Sequence, residues 1–141
     1  MVQIIAGAKG KGKTKILLDK VNANVANSKG TIVYLDKNTK HMYELDKNVR
    51  LINGSEYFIT NYDEFVGFVC GLVSQDHDLE TVYLDSFLNL ACIEGTDTDI
   101  APIVKKLDLI SAKFGVNFVL SVSLDINQIS EDIKSMVIVA L

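Results

Sequence analysis

Six short stretches of the chain are apolar at nearly every position: Val2–Ala6, Thr31–Leu35, Val49–Ile52, Thr81–Leu84, Val116–Val122 and Val137–Leu141. Continuous runs of this length, rich in Val and Ile, predict strands buried on both faces; half-exposed strands would alternate. Between the runs the period becomes helical. Ile16, Leu17, Val21 and Val25 predict a helix that opens at Lys13 and is stopped by Ser28-Lys29-Gly30. Asn61 or Asp63 is placed to cap a second helix running through Val73, with acids in its first turn. Asp97 or Asp99 is placed to cap a third, with Pro102 near its start, Ile103, Leu107, Ile110 and Phe114 on its apolar face, and Gly115 at its end. Shorter helical turns are expected at His41–Leu45 and Ser130–Ser135, and Asn53-Gly54 marks a turn.

Doubly buried strands that alternate with helices predict an α/β fold. The expected form is a three-layer αβα sandwich around a mostly parallel sheet of five strands or slightly more. The chain has 141 residues, enough for one domain spanning 1–141, and shows no internal repeat or linker. At 48% hydrophobic and 23% charged it is not a disordered chain, and one Pro with nine Gly excludes collagen-like sequence. The longest apolar run, Phe65 to Val73, falls far short of the roughly 20 residues that span a bilayer, so no membrane insertion is expected. At the N-terminus an apolar stretch precedes lysines, the reverse of a secretion signal. Cys70 and Cys92 form no C-x-x-C pair and fit the reduced thiols of a cytoplasmic protein.

Charge changes the picture. The net −4 divides into +6 over residues 1–50 (ten Lys/Arg, four Asp/Glu) and −10 over residues 51–141 (four Lys, fourteen Asp/Glu). Lys9, Lys11, Lys13 and Lys15 alternate within the basic part, a local positive potential suited to an anion. The acidic remainder speaks against a protein that coats nucleic acid.

Those lysines fall in Gly7-Ala8-Lys9-Gly10-Lys11-Gly12-Lys13-Thr14, which fits G-x-x-x-x-G-K-[ST]. It follows a predicted strand and opens a predicted helix, the context the motif requires. Glycines let successive N–H groups turn inward onto phosphate oxygens, and the helix start adds its positive dipole end. Gly7 through Lys15 are therefore the candidate phosphate-binding residues. Within them Lys13 is placed to reach the terminal phosphates and Thr14 to ligate Mg²⁺. Downstream, Thr81-Val82-Tyr83-Leu84-Asp85 ends a buried strand in a carboxylate, and Asp85 is the second candidate Mg²⁺ ligand. His41 and His77 have no partner at metal-ligand spacing, and Tyr34, Tyr83, Phe65, Phe68 and Phe118 read as core.

The two motifs resemble Walker A and Walker B, and the chain resembles a P-loop NTPase. Tyr83-Leu84-Asp85-Ser86, the second strand with its continuation TIVYLDKN, and the helix feeding Phe118 to Ser123 are similar to a minimal RecA/DnaB-like (ASCE-type) core. The resemblance implies the sheet order 5-1-4-3-2, with Val137–Leu141 beside Val2–Ala6. It further implies ATP and Mg²⁺ as ligands, and a protein partner or a homo-oligomer. Pilus-retraction motors share this general core, but nothing like their long N-terminal domain is found here.

Departures from the family bear on rate. Where it carries a catalytic Glu after the second strand, this chain has Asn38; where relatives carry Glu after the Walker B Asp, it has Ser86; a polar sensor position reads Ser123. Asn38 can position water without taking its proton. Asp36 and Glu44 are alternatives for orienting water, each more simply read as a surface acid. Arg50 is the one arginine, which opposes a kinase with an arginine-bearing lid. The expected function is Mg-dependent binding of a nucleoside triphosphate, ATP in the absence of an N-K-x-D guanine signature, with slow or partner-stimulated hydrolysis. The alternative is a non-hydrolysing regulatory or adaptor module of a larger assembly, pilus-type or DNA-associated.

Overall fold

A computed structural model describes residues 1–141. Its strands are β1 (Val2–Ala6), β2 (Thr31–Asp36), β3 (Val49–Asn53), β4 (Leu79–Leu84), β5 (Asn117–Val122) and β6 (Val137–Ala140). Its helices are α1 (Lys13–Val25), α2 (Tyr62–Gln75), α3 (Phe87–Leu90) and α4 (Ala101–Phe114). The apolar runs thus form strands where the pattern places them. The sheet is wholly parallel, with six strands in the order β3-β2-β4-β5-β1-β6. The sheet has one strand more than the five of the implied order 5-1-4-3-2: β3, which pairs with β2 at one edge.

Two layers of side chains cover the sheet unequally. One face, under α2, α3 and α4, holds a cluster of 30 buried residues; the other, under α1, holds nine. Each fully buried Leu, Ile, Val or Phe contributes about 1.5–3 kcal/mol, so most of the stabilisation lies on the α2/α4 face. Phe65 of α2 meets Phe87 of α3 edge to face at 5.8 Å within that cluster. The α1 face is thinner and more polar: Leu17, Leu18 and Val21 rest on Ile5, Ile32, Tyr34, Tyr83 and Val119.

Caps decide where helices start. Asn61 Oδ1 accepts the Glu64 N–H at 2.9 Å and fixes the start of α2, leaving Asp63 inside the first turn. At α4 the N-cap is Ile100, with no side-chain cap; Asp99, not Asp97, stands just ahead of it, its Oδ1 accepting the Ala101 N–H at 2.9 Å, and Gly115 (φ 68°) ends the helix. The turns near His41 and Ser130 are 3-10 helices, Met42–Glu44 and Glu131–Met136. The four-residue α3 has no periodicity long enough to announce it. No helix is long and apolar enough to cross a membrane.

Parallel strands bring all their carboxyl ends to one edge of the sheet, where ligands bind in open α/β folds. The alternation of side chains selects what points there. Tyr34 and Tyr83 are register partners on the α1 face, so two residues further on Asp36 and Asp85 lie on that same face at the strand ends.

Candidate functional site

The loop between β1 and α1 is shaped by Gly10 (φ 82°) and Gly12 (φ 85°), values that L-residues adopt only with strain. Gly12 is also the N-cap of α1. With no side chain it caps nothing, and the first turn carries no acid, so the helix start keeps its free amides and positive dipole end. The backbone of Gly7 is pinned from behind: a Cβ there would lie 3.0 Å from Leu141 Cβ.

Among the alternating lysines only Lys13 is buried, at 8% exposure. Its Nζ donates to the Ala8 carbonyl at 3.0 Å, folding the side chain across the loop. Burial lowers its pKa, and the nearby Asp85 works in the opposite direction. Lys9 pairs with Glu94 at 3.3 Å and Lys15 with Asp19 at 3.3 Å, both exposed contacts of little energetic weight. Lys11 is exposed.

Asp85 sits at the floor, 2% exposed, and its carboxylate is held on both oxygens. Oδ1 accepts from Thr14 Oγ1 at 3.3 Å, from Ser121 Oγ at 2.6 Å and from the Ser86 N–H at 2.9 Å. Oδ2 accepts from the Tyr34 hydroxyl at 2.7 Å. Burial, then the Asp85 charge, pushes the Tyr34 phenol well above its ordinary range, so it remains a donor. Ser86 takes a left-handed φ of 55° and also donates its N–H to Ser121 Oγ at 2.9 Å. The structure therefore joins Thr14 and Asp85, the two candidate metal ligands, by a hydrogen bond. A hydroxyl and a carboxylate in contact at the start of α1 are an oxygen donor set that suits Mg²⁺.

These groups line a cavity of about 290 Å³ whose walls are polar except for Leu88. Lys9, Gly10, Gly12, Lys13 and Thr14 form one side. Lys37, Asp85, Ser86, Asn89, Glu94, Ser121 and Ser123 complete it.

Asn38 is not among the lining residues. Its Oδ1 accepts the Lys40 N–H at 2.9 Å, an Asx turn that commits the side chain to its own loop. The expectation that Asp36 and Glu44 are both surface acids is corrected for Asp36. Its carboxylate is 3% exposed, and burial, followed by the neighbouring Asp85 charge, pushes its pKa up to about 6. Glu44 is exposed and bonds His41 Nδ1. No cluster of three or more His, Cys, Asp or Glu is arranged around a metal position, and both cysteines are exposed and free.

Sequence reasoning missed Tyr34 and Ser121. Tyr34 sits in an unbroken apolar run and reads as core, which its ring is; only the register with β4 reveals that its hydroxyl reaches Asp85. The motif points to Ser123 at the strand end, whereas it is Ser121, on the α1 face at the level of Asp85, that bonds the carboxylate. No protein-family model matches this chain, and no curated protein matches it.

Proposed function

We propose that this chain is a P-loop protein that binds a nucleoside triphosphate, ATP in the first instance, together with Mg²⁺, and hydrolyses it slowly or only when a partner stimulates it. One observation carries the reading: a glycine-shaped loop leaves the start of α1 uncapped, with Lys13 folded across it and Thr14 bonded to Asp85 at its mouth. Free amides and Lys13 supply donors for phosphate oxygens. Lys13 leaves the Ala8 carbonyl when a phosphate replaces it. Thr14 and Asp85 hold the metal, which neutralises phosphate charge when bound. Tyr34 and Ser121 keep the Asp85 carboxylate in one orientation.

The RecA-like assignment belongs to the same proposal. With β3 set aside as an added edge strand and the other five numbered in chain order, the order 5-1-4-3-2 is the count on which it rests. The cytoplasm, where thiols such as Cys70 and Cys92 stay reduced, suits it.

Slow turnover follows from the residues at the three positions where the family carries its base or its arginine. Asn38 is held in its own turn, Ser86 has no proton-accepting carboxylate, and Arg50 is the second residue of β3, at the far end of that strand from the site. These same facts favour the second reading, a nucleotide-sensing module that does not turn over.

Calorimetric titration with ATP, with and without Mg²⁺, tests the proposal. Lys13→Ala weakens ATP binding by about 1–3 kcal/mol, the scale of a charged hydrogen bond. Asp85→Asn removes most of the affinity gained from Mg²⁺ and leaves metal-free binding nearly intact. Unchanged ATP affinity in Lys13→Ala overturns the reading.

A further inference from the structure

Three cations line the cavity, and they are not equivalent. Lys9 is engaged by Glu94 and Lys13 by the Ala8 carbonyl. Lys37 takes part in none of the ion pairs of the molecule, and its ammonium donates no hydrogen bond within the protein.

Its position is set by the sheet. Lys37 follows the last residue of β2, whereas the phosphate loop follows β1. In the order β2-β4-β5-β1 the two are separated by three strand spacings, about 14 Å. Between them, at the end of β4, stands Asp85 bonded to Thr14. A phosphate chain gripped by the amides at α1 and running toward the metal ligands presents its free end to the β2 side of the cavity. Lys37 is the cation on that side.

The backbone beneath it is fixed. The Lys37 N–H donates to Asp36 Oδ1 at 2.7 Å, and Asp36 is buried. The long side chain therefore leaves a rigid root at the strand end while its ammonium stays in solvent. That combination lets it close on an incoming charge without first breaking an internal contact.

We propose that Lys37 contacts the terminal phosphate of the bound triphosphate, acting as an in-chain cation that distinguishes a triphosphate from a diphosphate. The inference rests on the nucleotide reading and adds a residue to it. An in-chain cation at this place offsets charge on the terminal phosphate in a chain whose single arginine lies elsewhere.

The test compares ATP and ADP affinities, both with Mg²⁺, in wild type, Lys37→Gln, Lys37→Arg and Lys40→Gln. Lys40 is a nearby exposed lysine outside the cavity. Lys37→Gln lowers ATP affinity about tenfold and ADP affinity less than twofold, the scale of one charge-assisted contact. Lys37→Arg keeps most of the preference for ATP, and Lys40→Gln alters neither ligand. An equal loss for both nucleotides, or no loss for ATP, in Lys37→Gln overturns the proposal. If Lys13→Ala, measured alongside this series, weakens ATP binding and Lys37→Gln does not, the nucleotide reading stands and Lys37 alone is refuted. A wild type that binds neither nucleotide refutes both.

Discussion

Helices α1 and α2 both start at the carboxyl edge of the sheet, each after a parallel strand, and they solve the same problem in opposite ways. At α2, Asn61 caps the Glu64 N–H, while Glu64 reaches back to accept from the Thr60 N–H at 2.7 Å and its hydroxyl at 2.6 Å. Asp63 and Glu64 also complement the dipole, and the bonds from Thr60 hold the Glu64 carboxyl below its usual pKa. At α1 the cap is a bare glycine, and the first residue is a buried lysine, whose charge opposes the dipole. Each omitted cap or favourable charge costs about 1 kcal/mol or less. At α1 these local devices are left out, which is the feature the proposed anion site relies on. The two helix starts thus differ in how their first amides are satisfied within the chain.

The sharpest way to break the contrast is to give α1 the solution of α2. Gly12→Asp places a carboxylate where the phosphate is expected, in a backbone conformation that Asp tolerates better than most residues. ATP affinity should fall more than about 100-fold by titration, from a like charge in a partly dehydrated site, while thermal stability changes by about 1 kcal/mol or less. An unaltered affinity would mean these amides hold no phosphate.

Next in size is Asp36. Its folded pKa of about 6 lies above the ordinary carboxylate value of 3.8. Between those pH values the folded state holds a proton that the unfolded chain has released. Stability from this group is therefore greatest below pH 4 and declines as pH rises to about 6. Asp36→Asn removes that decline and raises stability at pH 7 relative to wild type by up to about 3 kcal/mol. Denaturant unfolding of both proteins at pH 4 and pH 7 measures it; parallel curves for the two would refute the assignment.

Asn61→Ala is the complementary control. It should cost about 1 kcal/mol of stability by the same method and leave ATP affinity within about twofold. Smallest of all is Asn38→Glu. With its side chain committed to the Lys40 N–H, position 38 does not face the cavity, and single-turnover hydrolysis should not accelerate.

Much of the architecture was legible because it rests on local, repeated signals. Strands buried on both faces are apolar throughout, and the glycine–lysine loop announces itself by spacing. What stayed hidden depends on neighbours distant in sequence. Asp36 looks like a polar residue closing a strand; that it is buried follows from its place beside Asp85 in the adjacent strand. Tyr34 and Ser121 acquire polar roles only through parallel register, which no single stretch of sequence contains. Lys37 carries no motif, and its freedom from ion pairs is a property of the folded surface. Asn38 rests on an alignment by motif, which says nothing of a side chain that satisfies its own turn.

The placement of β1 inside the sheet also dictates when the molecule can work. Its neighbours are β5 and β6: Val2 pairs with Phe118 and Ile4 with Val137. None of the strands between β1 and β5 in the chain lends it a hydrogen-bonding edge. On a ribosome adding about 5–20 residues per second, this strand waits on the order of ten seconds for its first partner. Through that interval an apolar ribbon with two open edges is exposed, a species prone to associate with other chains. Contacts so far apart in sequence also make the closing step slow. The glycine–lysine loop that follows β1 therefore becomes a shaped object only once β5 and β6, far downstream, have been made.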